Sequence, residues 1–402
     1  VIMAERKKLA IITTFWDWRS HANHMGERFL VGYPRDGRWH HPDFDIVGAY
    51  VDQCDGDDDL SGHRAEKFGF TVYPTIAEAL RLGTDQLAVD AVLLIAEHGD
   101  YPSNDKGQKL YPRFEFFSEI VDVFRASGRS VPVFNDKHLS YSFDKAQQMV
   151  AMARELDFPL LSGSSLPVTF RLPPITLDGH VDEALMIGVG GSDAMDYHAL
   201  EALQSLVERR QGGETGVRAV QLIEGADVWR AGEDGRWSRR LLEGALARSD
   251  SRSGIALTDG RPQDLAHSDE LEELVEAPSA YLIEYVDGLR ATLLMLNGAV
   301  SDFTFAARCN GEVRSLQFLL PGAPNVVYSA CLMQKAEEMF VSGKAPYPAE
   351  RTMFVCGMLE RCLESKISDH QRVETPELIL SYQPPATPQF VGAPTESSTQ
   401  TA

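Results

Sequence analysis

Short apolar runs alternate with helical stretches through the first 165 residues, and this alternation limits the fold more than any other feature of the chain. Leu9–Thr14, Ile46–Val51, Thr71–Tyr73, Ala91–Ile95, Val131–Phe134 and Pro159–Leu161 read as strands. Between them, Ser20–Val31, Leu60–Phe68, Ile76–Leu82, Phe114–Ser127 and Phe143–Leu156 carry helical spacing. Thr75 with Glu78 three residues later is a capping-box pattern that fixes one helix start. Fully apolar strands separated by helices predict a parallel sheet covered on both faces, an α/β domain. A polar insert, Gly32–Asp45, interrupts the pattern.

The second half changes character. Glu183–Val189, Val217–Glu224, Ala280–Tyr285, Ala291–Leu296 and Asp302–Ala307 read as longer strands, several of them adjacent in sequence. They predict a mainly antiparallel open sheet, an α+β domain, with helices such as Tyr197–Arg209 and Val327–Val341 on one face. The division expected is a parallel-sheet α/β domain at 1–165, an α+β domain at 166–382, and a disordered tail at 383–402. The tail is rich in Pro, Ser, Thr and Ala. Such a broad sheet can pair between subunits, so a homo-oligomer is expected.

Lys plus Arg number 38 and Asp plus Glu 59, a formal net charge of −21. That field disfavours nucleic acid and anionic membranes as partners and suits a small-molecule substrate. No run of about 18 apolar residues is present, so no transmembrane helix is expected. Nor is a secretory signal seen ahead of Leu9. The five cysteines, Cys54, Cys309, Cys331, Cys356 and Cys362, are odd in number and irregularly spaced. They read as free thiols in a reducing cytoplasm rather than as disulfides or a zinc site.

Val89–Ile95 with Glu97-His98 after it, and Val131–His138, resemble segments of the Gfo/Idh/MocA family of oxidoreductases. Val89-Asp90-Ala91-Val92-Leu93-Leu94-Ile95, followed by Glu97-His98, is similar to that family's fourth strand and its loop. Val131-Pro132-Val133-Phe134-Asn135-Asp136-Lys137-His138 resembles the segment ending in its Glu-Lys-Pro motif, with His138 in the place of proline. Tyr73–Leu80, Phe143–Gly163 and Tyr347–Glu350 follow in the family's order. The resemblance implies a Rossmann domain followed by an antiparallel-sheet domain, and hydride transfer between NAD or NADP and a hydroxyl of a sugar, polyol or related compound. It implies Lys137 at the reacting hydroxyl, taking or giving its proton, and His198 as the second-domain histidine. The spacing of Asp193–His198 departs from the family's pattern.

The loop after the first strand departs further. A dinucleotide fold has glycines there, so that backbone can approach the pyrophosphate at a helix start. Here Thr13-Thr14-Phe15-Trp16-Asp17-Trp18-Arg19-Ser20 contains none. Thr13, Thr14, Phe15, Arg19 and Ser20 are the candidate contacts to the cofactor, and Asp17 would repel phosphate. Asp52, ending the second strand, can accept from ribose hydroxyls and favours NAD over NADP. Glu97, His98 and Asp136 follow strand ends, where ligands bind in open α/β sheets, and Glu97 and Asp136 are further candidate contacts to the cofactor. His98 joins Lys137 and His198 as a catalytic or substrate-orienting candidate. His21 and His24, three apart, share a helical face. With Glu97 and Asp196 they have the residue types for a metal, though no metal-binding spacing appears. Gly188–Asp193, running from a strand into a helix, reads as a tight turn or an anion cradle. Two rivals to the dehydrogenase reading stay open: a lyase, isomerase or hydrolase in the same site, with or without a metal, and a non-enzymatic small-molecule sensor or scaffold.

Overall fold

The computed structural model describes residues 6–54, 56–254, 262–267, 269–322 and 325–394. It divides into two compact units. Val1–Asn104, Lys109–Ser164 and Gly322–Cys356 form the first; Asp105–Gln108, Ser165–Pro321 and Gly357–Ala402 form the second.

In the first unit β1 (Lys7–Phe15) leads into a five-residue π-helix, Ala22–Gly26, and a short α1 (Arg28–Val31). The strands β2 (Tyr33–Arg35) and β3 (Arg38–His40) make an antiparallel hairpin within the polar insert. Then come β4 (Phe44–Gln53), α2 (Ser61–Phe68), β5 (Thr71–Val72), α3 (Ile76–Arg81) and β6 (Ala91–Ile95). Helix α4 (Arg113–Ser127), β7 (Val133–Asp136), α5 (Phe143–Glu155) and β8 (Leu160–Gly163) complete it. The sheet order is β5-β4-β1-β6-β7-β8, parallel throughout. Thr13 stands level with Val51 on one side and Ile95 on the other, so the carboxyl ends of the three central strands share one edge. All five residues of β6 are solvent-inaccessible. Each such aliphatic side chain contributes roughly 1.5–3 kcal/mol by leaving water. Thr75 accepts from the amide of Glu78, the predicted cap of α3.

One helix predicted as continuous, Ser20–Val31, is broken into π and α pieces. Gly26 lies against the sheet there: a Cβ on it would come within 3.1 Å of the Ile11 side chain. The widened turn carries His21 and His24 at its start.

The second unit is built on an eight-stranded sheet. Its strands are β9 (Arg171–Leu172), β10 (Val181–Gly188), β11 (Val217–Glu224), β12 (Ser279–Tyr285), β13 (Arg290–Met295), β14 (Phe303–Cys309), β15 (Glu312–Phe318) and β16 (Val373–Glu374). They run in the order β16-β11-β12-β13-β10-β14-β15-β9, and every pair is antiparallel except β10 with β13. The sheet is open and mainly antiparallel.

Three expectations change. Helices cover both faces of this sheet rather than one. Helix α6 (Ala194–Val207) lies over Gly188, where a Cβ would meet Ala199 and Met295. Leu185 and Ile187, on the opposite face by strand alternation, share a core with Trp229 of α7 (Ala226–Glu233) and Leu241, Leu242 and Ala245 of α8 (Arg239–Leu246). Helices therefore lie on both faces of the sheet, and its two edge strands are two residues each. Secondly, Val327–Ser342 belongs to the first unit, not to a second domain spanning 166–382. Its Phe340 packs on Phe29 and Phe44, and its Glu337 accepts from Tyr33 and contacts His40. Thirdly, 383–394 of the tail is ordered, because Phe390 is buried beneath the Arg171 guanidinium, 4.3 Å away, and the Val391 amide donates to Val168. Residues 395–402 of the expected tail lie outside the described residues. No helix among the described residues is long and apolar enough to cross a membrane. None of the five cysteines is in a disulfide, and four of them are buried.

Candidate functional site

Past the carboxyl ends of β6 and β7 the chain gathers ions that a sheet interior would not otherwise hold. Lys137 follows β7, and its side chain is 3% exposed. Its Nζ donates to Glu97 Oε1 at 2.8 Å. The other oxygen of Glu97 takes the guanidinium of Arg113, the first residue of α4, which is itself buried. Burial alone would push the Glu97 carboxyl up; Lys137 and Arg113 overcome it and hold the carboxyl well below the usual range. Glu97 is therefore a clamp between two cations. Removing one partner of such a buried pair costs about 3–5 kcal/mol.

Asp136 ends β7 and makes a second pair. Its Oδ1 accepts the Lys137 amide at 2.8 Å, and its Oδ2 meets Nδ1 of His21 at 2.5 Å. His21 also touches two other imidazoles, with ring centroids 4.9 Å from His24 and 4.8 Å from His98. Nδ1 of His24 lies 2.8 Å from the Ser329 hydroxyl. Burial, then the neighbouring His21 and His98, push His24 down to about 2. Burial and His21 push His98 down to about 4, against Glu97 and Asp136. His98 has φ +72°, a left-handed backbone uncommon outside glycine, and its buried Nε2 has no hydrogen-bond partner. Such outliers collect at functional sites.

The first loop closes on itself. Ser20 is buried; its amide and hydroxyl both donate to the Asp17 carbonyl, at 3.1 and 2.8 Å. The Asp17 amide donates to Ser20 Oγ, the Trp18 amide to the Asp17 carboxylate, and the Arg19 amide to Asn23. The four backbone N–H groups from Asp17 to Ser20 are thus turned inward. Thr13 and Thr14 donate their hydroxyls to the carbonyls of Ile95 and Glu97. Of the cofactor candidates, Thr13, Thr14 and Ser20 therefore have their hydroxyl protons already engaged within the fold. Phe15 is half-buried at the end of β1. Trp16 is buried, stacked on Phe70 and bonded to Glu27, so it faces the core. Arg19 takes φ +70°, the conformation a glycine would ease, and its side chain is exposed. Asp52 is exposed at the end of β4 and accepts from Tyr50 and Tyr101.

His198 lies in α6, in the second unit, beside Asp196. Asp196 is no partner of the imidazole cluster: it accepts from Tyr281, and burial pushes it up to about 6. Asp193 with Asp196 forms a reciprocal cap on α6, so Gly188–Asp193 is the tight turn of the two readings. Among the described residues no group of three or more His, Cys, Asp or Glu is arranged to hold a metal. A surface cavity lined by Arg6, Phe29, His41 and Phe68 sits at the amino-terminal edge of the parallel sheet, away from these ions. Sequence reasoning named Glu97, His98, Asp136 and Lys137, but not the role of Arg113.

The protein's architecture can now be compared with known ones. No family model matches the chain, and no curated protein matches its sequence. Solved structures do. A myo-inositol dehydrogenase from Lactobacillus casei, in complex with NAD(H) and myo-inositol, superposes with TM-score 0.57 at 11% identity, over 92% of this chain and 96% of its own. The chain has the Gfo/Idh/MocA fold. GenD2 from gentamicin A biosynthesis, in complex with NAD, gives TM-score 0.56 at 15% identity, over 93% and 97% of the two chains. A scyllo-inositol dehydrogenase from Lactobacillus casei gives 0.56 at 9%, over 92% and 98%. At these identities the likeness is one of fold.

Proposed function

We propose that this chain is an NAD(P)-dependent oxidoreductase, with NAD preferred, acting on a hydroxyl of a sugar, polyol or related compound. The observation that carries the reading is the buried Glu97–Lys137 pair at the carboxyl ends of adjacent parallel strands. That is where open α/β sheets bind ligands. The resemblance of the 131–138 segment to the family's lysine motif and the dehydrogenases among the structural neighbours support it.

The residues fit a dinucleotide, with one substitution of means. Asp52 is exposed where ribose hydroxyls would be met, and its charge would oppose a 2′-phosphate. At the diphosphate the chain offers the Arg19 guanidinium in place of inward-turned amides. When bound, the nicotinamide supplies the hydride acceptor or donor. Lys137, oriented by Glu97, donates a hydrogen bond to the reacting oxygen and stabilises the negative charge that develops there. His98 orients the substrate; the role of His198, in the second unit, rests on family order alone.

We place the chain in the cytoplasm on its cysteines, none of which is in a disulfide and four of which are buried. A homo-oligomer stays in the proposal only in a form that leaves the sheet faces of the second unit out; light scattering from a 44.5 kDa particle removes it. Calorimetric titration of nucleotide-stripped protein with NADH and NADPH tests the central reading. Micromolar binding of NADH, weaker binding of NADPH, and about tenfold loss in Arg19→Ala are expected, since charge-assisted contacts to phosphate are strong. No binding of either nucleotide overturns it.

A further inference from the structure

Two buried carboxylates, Glu97 and Asp136, stand side by side at the ends of β6 and β7, each with a basic partner, and the two pairs are built differently. The Glu97–Lys137 pair is closed: both carboxylate oxygens are taken, by Lys137 and Arg113, and all three side chains are buried. Lys137 Nζ is thus tied to Glu97 in a site with little water. The Asp136–His21 pair is open. Asp136 is sealed beneath, while the His21 side chain is 16% exposed. Nδ1 of His21 is engaged by the carboxylate, and Nε2 has no hydrogen-bond partner among the described residues. Asp136 is itself aligned by the Lys137 amide, so one residue positions both pairs.

From this geometry we propose that His21, oriented by Asp136, is the residue that accepts and returns the substrate hydroxyl proton, while Lys137 acts only as a fixed hydrogen-bond donor to the same oxygen. The inference rests on the dehydrogenase reading for its hydride partner. In the oxidation direction the substrate O–H bond breaks and its proton goes to Nε2 of His21. The C–H bond breaks as a hydride passes to NAD⁺, and the alcohol becomes a carbonyl. Asp136 is a positioning residue. It holds the imidazole with its proton on Nδ1, which leaves the Nε2 lone pair for the substrate, as carboxylates do for catalytic histidines elsewhere.

The surroundings favour His21 over its neighbours. Glu97, Lys137, His24 and His98 all face it, and of the three imidazoles only His21 is hydrogen-bonded to a carboxylate. His24 is turned to the Ser329 hydroxyl, and the Nε2 of His98 is buried. A π-helical turn places His21 there, and such turns are frequent at functional sites.

Histidine-labelled ¹⁵N NMR of the intact chain tests the pair without any substrate. His21 is expected in the Nδ1–H tautomer, and Asp136→Asn should convert a large share of it to the Nε2–H form while leaving His24 unchanged. A His21 protonated on Nε2 in the parent chain, or one indifferent to Asp136→Asn, overturns the pairing. Diethylpyrocarbonate, read by mass spectrometry, probes the free nitrogen: His21 should acylate at least tenfold faster than His24 or His98, and equal rates overturn the proposal. With a polyol that the chain oxidises, His21→Asn should lower kcat by about 10²–10⁴-fold, the usual worth of a general base, with NADH affinity within twofold. An unchanged kcat overturns the role. Failure of NADH to bind would defeat the dehydrogenase reading instead, and the tautomer and acylation results would still decide the pair.

Discussion

Glu97 is the residue on which the charge arrangement turns. Replacing it with Gln would leave Lys137 and Arg113 buried side by side without a counter-charge. Glu97→Gln should lower unfolding free energy by about 3–5 kcal/mol, read as a shifted urea midpoint. The imidazoles predict a separate pH dependence. The ordinary histidine value is 6.5; His24 is pushed down to about 2 and His98 to about 4. As pH falls below 6.5 the unfolded chain takes up protons that the folded chain refuses. Stability present above that value is therefore lost on the way down, through about 4 for His98 and about 2 for His24. Thermal midpoints of the parent chain should fall between pH 7 and pH 4, and His24→Asn or His98→Asn should flatten that slope. Asparagine tolerates the left-handed backbone at His98. Much of this site could be read from sequence, because Glu97, His98, Asp136 and Lys137 sit at strand ends and strand ends are legible. The partnership of His21 with Asp136 could not, since 115 positions separate them. Only the concentration of histidines near predicted loops hinted at it. Arg113 gave no signal: a buried arginine at a helix start looks like any surface cation until its partner is seen.

At the scale of elements, close approach decides what the sequence pattern leaves open. Gly48 in β4 lies under α3, and a Cβ there would stand 2.8 Å from the Ala79 carbonyl oxygen and 3.0 Å from Leu82. Backbone cannot step aside as a flexible side chain can. Gly48→Ala should cost about 1–3 kcal/mol by overpacking and displace α3, measurable as faster amide exchange across Ile76–Arg81. The strands of the parallel sheet were readable because both faces are buried and the runs are wholly apolar. Glu312–Phe318 was not, since its first three residues are exposed and polar enough to mimic a loop. Helices α7 and α8 were missed for a related reason. Each is only eight residues long, too short for periodicity to stand out from its charged neighbours.

For the whole molecule, the order of the chain is not the order of its units. Reading two domains in succession was reasonable from composition, yet Gly322–Cys356 returns to the first unit. There Ser329 contacts His24, Glu337 accepts from Tyr33, and Phe340 fills the space between Phe29 and Phe44. No local pattern announces such a return, because an amphipathic helix fits any apolar surface. A chain ending at Pro321 should leave that surface open. Its first unit is expected to bind 1-anilinonaphthalene-8-sulfonate and to lose its near-ultraviolet circular dichroism, whereas a chain ending at 394 should match the parent in both.

The discontinuity also sets a timetable for synthesis. On the ribosome, chains emerge amino end first at about 5–20 residues per second, and domains tend to fold as they appear. Here the opening segments emerge early, but the helix that completes their unit follows Ser164 by roughly 160 residues, on the order of 8–30 s at those rates. The unit holding the ion pairs is begun first and completed only after most of the sheet that the intervening chain encodes. Through that interval Phe29 and Phe44 face solvent or a chaperone, so the newborn chain is open to rescue or aggregation over a window set by translation speed.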